Sequence, residues 1–261
     1  MRQADGVTEP SGGTDYASYL LIDDLLSLQR PLTEGAHDEL LFIVVHQAYE
    51  LWFKQILHEA MQLQKSLEEG DTPTALATLK RILTILKVLV SQIDVLETMT
   101  PQDFLEFRQR LAPASGFQSV QFRELEFLSG AKDEGYVKRF RGLSDNESAR
   151  LRRRLGEPTL WDGFVAVLDR TGLDTSSDEA ITASLRTVAH DRSSYAEVWA
   201  LAEALLQHDE LAAAWRARHV VMVERMIGSK TGTGGSTGAD YLRTRLDLRY
   251  YPLLWSLRSA L

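Results

Sequence analysis

Two histidines in this chain lie on predicted helical faces made of large apolar side chains. His46 lies in FIVVHQAYELWF, where steps of three and four residues place Phe42, Tyr49 and Phe53 on the same face. In such surroundings a histidine can donate or accept one proton near neutral pH. The alternative is a core histidine whose ring nitrogens bond to local partners. Glu50 follows four residues later, so the HExxH pattern of zinc proteases is absent.

His219 shares a second predicted face with Trp215, Met222 and Met226. An axial ligand of haem needs one imidazole in an apolar slot, and this stripe is compatible with that requirement. The same stripe is also typical of an ordinary helical core. The spacing by itself leaves both interpretations open.

Arg108 and the glycine-rich segment GSKTGTGGSTG at 228–238 are two further places where chemistry could occur. Arg108 follows Phe104 by one helical turn and could bind a carboxylate through two parallel hydrogen bonds, or lay its stem over the surface. The segment is not a P-loop, because no Gly-Lys-Ser/Thr follows it. It is not a dinucleotide-binding motif either, because that motif requires a preceding strand and none is predicted here. It suits an active-site lid, with a flexible linker as the alternative.

The composition excludes several classes of protein. The 261 residues include no cysteine, so disulfides, thiolate metal sites and cysteine nucleophiles are excluded. The net charge of −8 argues against nucleic acid as a partner. No run approaches the about 20 apolar residues of a membrane span, and MRQADGVTEPSGGTDY has no apolar core of a secretory signal. We therefore expect a cytoplasmic protein that binds neither nucleic acid nor a membrane.

The elements that must position these residues are nearly all helical, because strand-type alternation is missing. Long helices are predicted over about 15–29, 37–69 and 73–98, and shorter ones over 101–111, 118–130, 144–155, 159–170, 178–206, 208–228 and around Tyr250 to Trp255. Residues 1–14 are polar and predicted as a flexible arm. The prediction is an all-α, single-domain bundle of long antiparallel helices over 15–261, enclosing the site residues.

Several helix starts can be read from the residue types. Thr72 and Thr100 each precede a proline, and Ser144 and Ser176 each have a glutamate three residues later, so these four residues are predicted N-caps. In the third long helix, apolar residues recur at steps of three and four from Leu76 to Ile93. Such a narrow seam predicts a parallel or antiparallel helix beside it.

Three blocks of this sequence resemble the tryptophan 2,3-dioxygenase family: FIVVHQAYELWFKQILHE, ASGFQSVQFRELE and RHVVMVERMIGSKTGTGGSTGADYL. The similarity extends more weakly to YASYLLIDDLLSLQ and YYPLLW, so it covers the chain from residue 15 onward. It implies an all-α homotetramer with one haem b per subunit. The implied reaction cleaves the indole C2–C3 bond of L-tryptophan with O₂, giving N-formyl-L-kynurenine in the first step of tryptophan degradation via kynurenine.

The resemblance also implies a role for individual residues. His219 matches the axial ligand of the haem iron, and His46 matches the distal histidine that hydrogen-bonds the indole N–H. Phe42 matches an aromatic wall of the indole pocket. Arg108 matches the arginine that pairs with the substrate carboxylate, and Thr233 matches the threonine that contacts the ammonium and carboxylate groups.

The remaining implied roles depend on less direct matches. Phe104 stands where some members have tyrosine, so a hydroxyl contact at that position is lost here. Tyr16, Tyr19 and Leu20 match first-helix residues that complete the pocket of a neighbouring subunit.

Two other functions stay open at this stage. A relative with the same fold could insert one oxygen atom into a substituted indole, since it needs the same haem and histidines. A catalytically silent haem sensor belongs to a different class. Arg108 and Thr233 argue against the sensor, because a gas sensor has no use for an amino-acid clamp.

Overall fold

The computed structural model describes residues 15–139, 143–234 and 238–261, and within these ranges the chain forms helices and loops without a strand. The predicted all-α class is confirmed, whereas the predicted arm at 1–14 lies outside the described residues. In chain order the helices are α1 (Tyr16–Leu20), α2 (Ile22–Leu26), α3 (Glu39–Glu69), α4 (Thr72–Leu96), α5 (Pro101–Leu111), α6 (Val120–Leu128), α7 (Glu134–Arg139), α8 (Asp145–Gly156), α9 (Leu160–Asp169), α10 (Asp178–His190), α11 (Ala196–Ile227), α12 (Ala239–Arg243) and α13 (Pro252–Leu257), with a 3₁₀ turn at Gly116–Gln118.

The long helices α3 and α4 form an antiparallel hairpin. Gly70 ends α3 at a φ of 76°, a conformation that glycine adopts without steric cost. Near one end of the pair, Arg81 donates to both oxygens of Glu59 at 2.9 Å. Near the other end, the Tyr49 hydroxyl donates to the Leu89 carbonyl at 2.9 Å, so the residue numbers run in opposite directions.

The apolar surface of α4 is wider than a single seam. Its buried residues include Leu83 and Ile85, which are two positions apart and therefore point to different sides of the helix. The predicted neighbouring helix is present as α3, and α4 also packs against α11. The main hydrophobic cluster takes residues from Ala36 to Leu257 and includes all three of these long helices.

Two predicted helices have different boundaries in the structure. The segment predicted over 15–29 is divided into α1 and α2 at Leu21, whose φ of 51° interrupts the helix. The break predicted at residue 207 lies instead at 191–195, and α11 runs unbroken from Ala196 to Ile227. The polar pair His208 and Asp209 does not end the helix, because both side chains bond to the C-terminal part of the chain.

Two of the four predicted N-caps are confirmed. The Thr100 and Ser144 side chains accept hydrogen bonds from the N3 backbone and complete capping boxes. At the start of α4 the cap is Asp71 rather than Thr72, and at the start of α10 it is Ser177 rather than Ser176. Ser176 instead donates its backbone N–H to Asp174, which moves the cap one residue onward. No helix in the described ranges is long and apolar enough to cross a membrane.

Candidate active site

A cavity of about 320 Å³ lies inside the bundle between α3, α5, α6 and α11. Its volume is in the range of pockets that take organic ligands, and its surface is mostly apolar. The residues predicted from the sequence that border it are Phe42, His46, Phe104, Arg108, His219 and Thr233. Residues far apart in the chain are therefore brought to one cavity.

His46 on α3 has a defined hydrogen-bonding state. Its Nδ1 atom lies 2.7 Å from the Phe42 carbonyl oxygen, which can only accept, so Nδ1 carries the proton and donates it. Burial lowers the pKa of His46, although the Phe42 carbonyl and the charge of Glu50 act in the opposite direction. The ring is therefore neutral near pH 7, and its Nε2 atom is a hydrogen-bond acceptor.

His219 on α11 has a ring whose orientation is restrained by Trp215, four residues earlier. The two rings stack with centroids 5.1 Å apart and planes 6° apart. Burial lowers the pKa of His219 to about 4, with a smaller contribution from His46 across the cavity. A neutral imidazole that borders an apolar cavity has a nitrogen lone pair available to a metal.

This donor set fits haem better than it fits a bare metal ion. Among the described residues, no group of three or more His, Asp or Glu side chains could hold a metal. A porphyrin supplies four equatorial nitrogens of its own, so a haem iron needs only an axial imidazole from the protein. His219 meets this requirement, and the apolar walls suit the porphyrin faces.

Three phenylalanines form one wall of the cavity. The ring centroid of Phe42 lies 5.8 Å from that of Phe104 and 5.6 Å from that of Phe107. Phe42 and Phe104 border the cavity, whereas Phe107 is fully buried behind them. The sequence reasoning missed Phe107, although it follows Phe104 by three residues and so shares its helical face.

The described part of the glycine-rich segment packs against the loop after α5. Arg108 donates to the Thr231 carbonyl, and the Thr233 hydroxyl donates to the Ala114 carbonyl at 2.6 Å. A Cβ atom at Gly234 would lie only 2.6 Å from the Cβ atom of Ser115, so this close approach requires glycine. Arg108 and the glycine-rich segment are thus joined at one edge of the cavity.

Tyr16, Tyr19 and Leu20 do not belong to the cavity of their own chain. Their exposed fractions are 76%, 75% and 42%, and none of the three borders the cavity. Helix α1 contains no buried residue.

The structure adds charged residues that the sequence reasoning did not single out. Arg123, Glu126, Arg216 and Arg245 also border the cavity. Arg123 and Glu126 lie in VQFRELEF, where they alternate with large apolar residues, and Arg216 directly follows Trp215. Charged residues placed among large apolar ones were the available signal, because charged side chains are rarely buried without a partner.

The fold and the site define an all-α protein with a mostly apolar cavity, one histidine suited to a haem iron and a second suited to accept a hydrogen bond. The sequence profile of the tryptophan 2,3-dioxygenase family matches residues 2–182 and 175–261. The chain belongs to this family.

Individual relatives agree with this assignment. A protein of a Nocardioides species named tryptophan 2,3-dioxygenase is 64% identical, with 94% of each chain covered. A protein of the same name from Herpetosiphon aurantiacus is 48% identical over 94% of this chain and 98% of its own. A third, from an Anaeromyxobacter species, is 47% identical over 98% of this chain and 100% of its own.

Proposed function

We propose that this protein is a haem-dependent dioxygenase that cleaves the indole C2–C3 bond of L-tryptophan with O₂ to give N-formyl-L-kynurenine. The observation that carries the proposal is the meeting of His219, His46 and Arg108 at one apolar cavity. One haem b per subunit, held by His219, would supply the binding and activation of O₂. Every other task belongs to the side chains around it.

The substrate is oriented by contacts at both of its ends. Phe42 and Phe104 would pack against the indole ring, and the Nε2 acceptor of His46 would take the indole N–H. Arg108 would pair with the substrate carboxylate, and Thr233 would contact the ammonium and carboxylate groups. Fixing both ends limits the positions available to the C2–C3 bond and so lowers the entropy cost of reaction.

His46 orients the substrate and does not remove its proton. Its Nδ1 proton is held by the Phe42 carbonyl, and the ring is neutral because burial lowers its pKa. Accepting one hydrogen bond at Nε2 requires no change of charge in this apolar environment. A His46→Ala variant is therefore expected to turn over slowly rather than lose activity.

The described part of the 228–238 segment acts as a lid. The bond from Arg108 to the Thr231 carbonyl ties the carboxylate-binding residue to this segment. Binding of the substrate carboxylate and docking of the lid are therefore coupled through one guanidinium. A docked lid would exclude water from the reacting groups.

A homotetramer accounts for the exposed first helices. Tyr16, Tyr19 and Leu20 are followed by further exposed apolar residues on α2. A monomer rarely leaves so many apolar side chains together in water. In a homotetramer these residues would complete the pocket of a neighbouring subunit. A cytoplasmic location stays a prediction from the sequence.

The decisive experiment is anaerobic reduction of the haem-loaded protein, followed by L-tryptophan and isotopically labelled O₂. N-formylkynurenine carrying two labelled atoms is expected. A product with one labelled atom and an intact indole skeleton would favour the monooxygenase alternative. A normal haem spectrum without any product would favour the sensor.

A His219→Ala variant tests the axial ligand separately. It should purify largely free of haem or with an altered haem spectrum. A normal spectrum together with full activity would contradict the assignment of His219.

A further inference from the structure

One wall of the cavity carries a cluster of charged side chains that the proposed reaction does not use. Arg123 and Glu126 come from α6, Arg216 comes from α11, and Arg245 follows α12. The side chains of Arg123, Glu126 and Arg216 are 7%, 3% and 6% exposed. We call these four residues the charged wall.

Two arginines of the charged wall have incomplete hydrogen bonding. Arg123 donates through Nη1 to Glu126, and Arg216 donates to the Leu248 carbonyl at 2.7 Å and to the Tyr250 hydroxyl at 3.2 Å. The Nε atoms of both arginines are buried and have no hydrogen-bond partner among the described residues. A buried donor without a partner is costly, so these two N–H groups indicate a missing acceptor.

Positive charge exceeds negative charge in the same place. Glu126 lies beside Arg123 and 3.9 Å from Arg245, so one carboxylate faces two guanidinium groups. Arg216 Nη2 lies 4.0 Å from Asp209 Oδ1, so in all three guanidinium groups face two carboxylates. In a cavity whose surface is mostly apolar, this excess of positive charge favours an anionic ligand.

We propose that the charged wall binds the propionate carboxylates of haem. This inference rests on the proposed function, because it takes haem as the ligand of the cavity. Propionates are the ionised groups on the edge of haem b, and arginine is the residue that best matches a carboxylate in geometry and charge. The substrate carboxylate has its own partner in Arg108 on α5, which leaves Arg123, Arg216 and Arg245 for the cofactor.

The test compares two porphyrins that differ only in these carboxylates. The haem-free protein is titrated with ferric haem and with ferric haem dimethyl ester, and the Soret band gives each dissociation constant. The wild type should bind the free acid about ten- to a hundred-fold more tightly than the diester, as expected for a charge-assisted hydrogen bond. Arg123→Met and Arg245→Met should each lower this preference.

The ratio of the two constants separates recognition from structural damage. A variant that merely loosens the fold weakens both porphyrins equally and leaves their ratio unchanged. Arg245 is 29% exposed, so Arg245→Met remains informative even where Arg123→Met does not fold. Glu126→Gln should raise the preference for the free acid several-fold, because it removes a negative charge that competes for Arg123.

Two arginine variants serve as matched controls. Arg218→Met changes the residue next to His219, but this guanidinium pairs with Asp94 and Glu97 and does not border the cavity. Arg108→Met removes a cavity arginine at the substrate end. Both variants should keep the wild-type ratio.

The outcomes distinguish the two proposals. A wild-type protein that binds neither porphyrin would contradict haem as the ligand and hence the proposed function. Binding of both porphyrins with equal affinity would overturn the charged wall alone. So would an unchanged ratio in Arg245→Met, or an unchanged or lowered ratio in Glu126→Gln.

Discussion

Burial lowers the pKa of three histidines in this chain, and their contacts then give them different uses. His46 donates through Nδ1 to a backbone carbonyl and keeps Nε2 as an acceptor. His208 contacts the Tyr251 hydroxyl at 3.2 Å and packs inside the C-terminal part of the bundle. His219 makes no hydrogen bond to the described part of the chain and borders the cavity. Burial affects all three histidines, so burial does not distinguish them. The contacts of each ring do: His208 has a structural role, whereas His46 and His219 border the cavity.

Arg108→Met should lower kcat/KM for L-tryptophan by roughly ten- to a hundred-fold, because a charge-assisted hydrogen bond contributes about 1.5–3 kcal/mol. Haem content should stay normal. Tryptamine, which lacks the carboxylate, should react poorly with the wild type and no worse with the variant. Steady-state kinetics with both substrates checks this. Equal rates for tryptamine and tryptophan in the wild type would show that no carboxylate clamp operates.

His208→Gln should make the free energy of unfolding less dependent on pH below about pH 6.5. Burial lowers the pKa of His208 to about 4, while Asp209 raises it and Arg216 lowers it. In the unfolded chain the pKa is near 6.5, so below pH 6.5 this histidine is protonated in the unfolded state but stays neutral in the native state. Protonation therefore stabilises the unfolded state and lowers the free energy of unfolding as the pH falls. The wild type should lose roughly 2–3 kcal/mol through this residue between pH 7 and pH 4, at about 1.4 kcal/mol per pKa unit.

Urea unfolding of both proteins at pH 7, 6, 5 and 4 measures this difference. The stability of wild type relative to His208→Gln should fall steadily from pH 6.5 towards pH 4. Parallel profiles would show that His208 does not contribute to acid destabilisation.

At the scale of elements, α11 connects the C-terminal anchor of the fold to the site. Asp209 accepts hydrogen bonds from the backbone N–H groups of Tyr250 and Tyr251 and from the Trp255 indole. Two turns later, the same helix presents Trp215 and Arg216, and one turn beyond them His219. Because α11 is continuous, the anchor and His219, the proposed axial ligand, are held in one rigid element.

The contact between the glycine-rich segment and the loop after α5 depends on Gly234. Gly234→Ala places a Cβ atom 2.6 Å from Ser115 Cβ and 3.0 Å from its Oγ, so the segment must shift away. We expect KM for L-tryptophan to rise about three- to ten-fold, on the scale of a lost contact of about 1 kcal/mol. Haem affinity should not change, because the contact lies at the substrate end.

Two further variants control the Gly234 experiment. Gly156→Ala adds the same methyl group where no atom lies within 4 Å, and it should leave KM unchanged. Adding Ser115→Gly to Gly234→Ala should restore part of the lost affinity. A Gly234→Ala protein with wild-type KM would contradict the role of this docked contact.

At the scale of the whole molecule, helix α1 has no core partner within its own chain. Replacing Tyr16, Tyr19 and Leu20 together by serine should lower the oligomeric state and the affinity for tryptophan in parallel, because the same surface serves both. Haem content should be retained. Light scattering and tryptophan titration measure the two effects.

Leu261→Ser is the control, since Leu261 is also an exposed apolar residue, at 55%, and is not part of α1. It should keep both the assembly and the affinity of the wild type. A triple variant that stays tetrameric and binds tryptophan normally would show that α1 does not complete a neighbouring site.

The sequence by itself determined the helical class, most of the helices and the two histidines of the site. Helical periodicity and caps such as Thr100 and Ser144 are local properties, so they can be read without knowing what packs against them. The spacing of His46 and His219 within apolar stripes marked both residues. Their assignment to haem and substrate came from the resemblance of whole segments.

Only the tertiary structure decided what depends on contacts between distant residues. The continuity of α11 through His208 and Asp209 follows from bonds to residues more than 40 positions away. The tautomer of His46 depends on its contact with one carbonyl oxygen, that of Phe42. The charged wall contains residues of α6, α11 and the segment after α12. No local sequence pattern predicts that these residues lie together, because charges become buried and paired only when the helices pack.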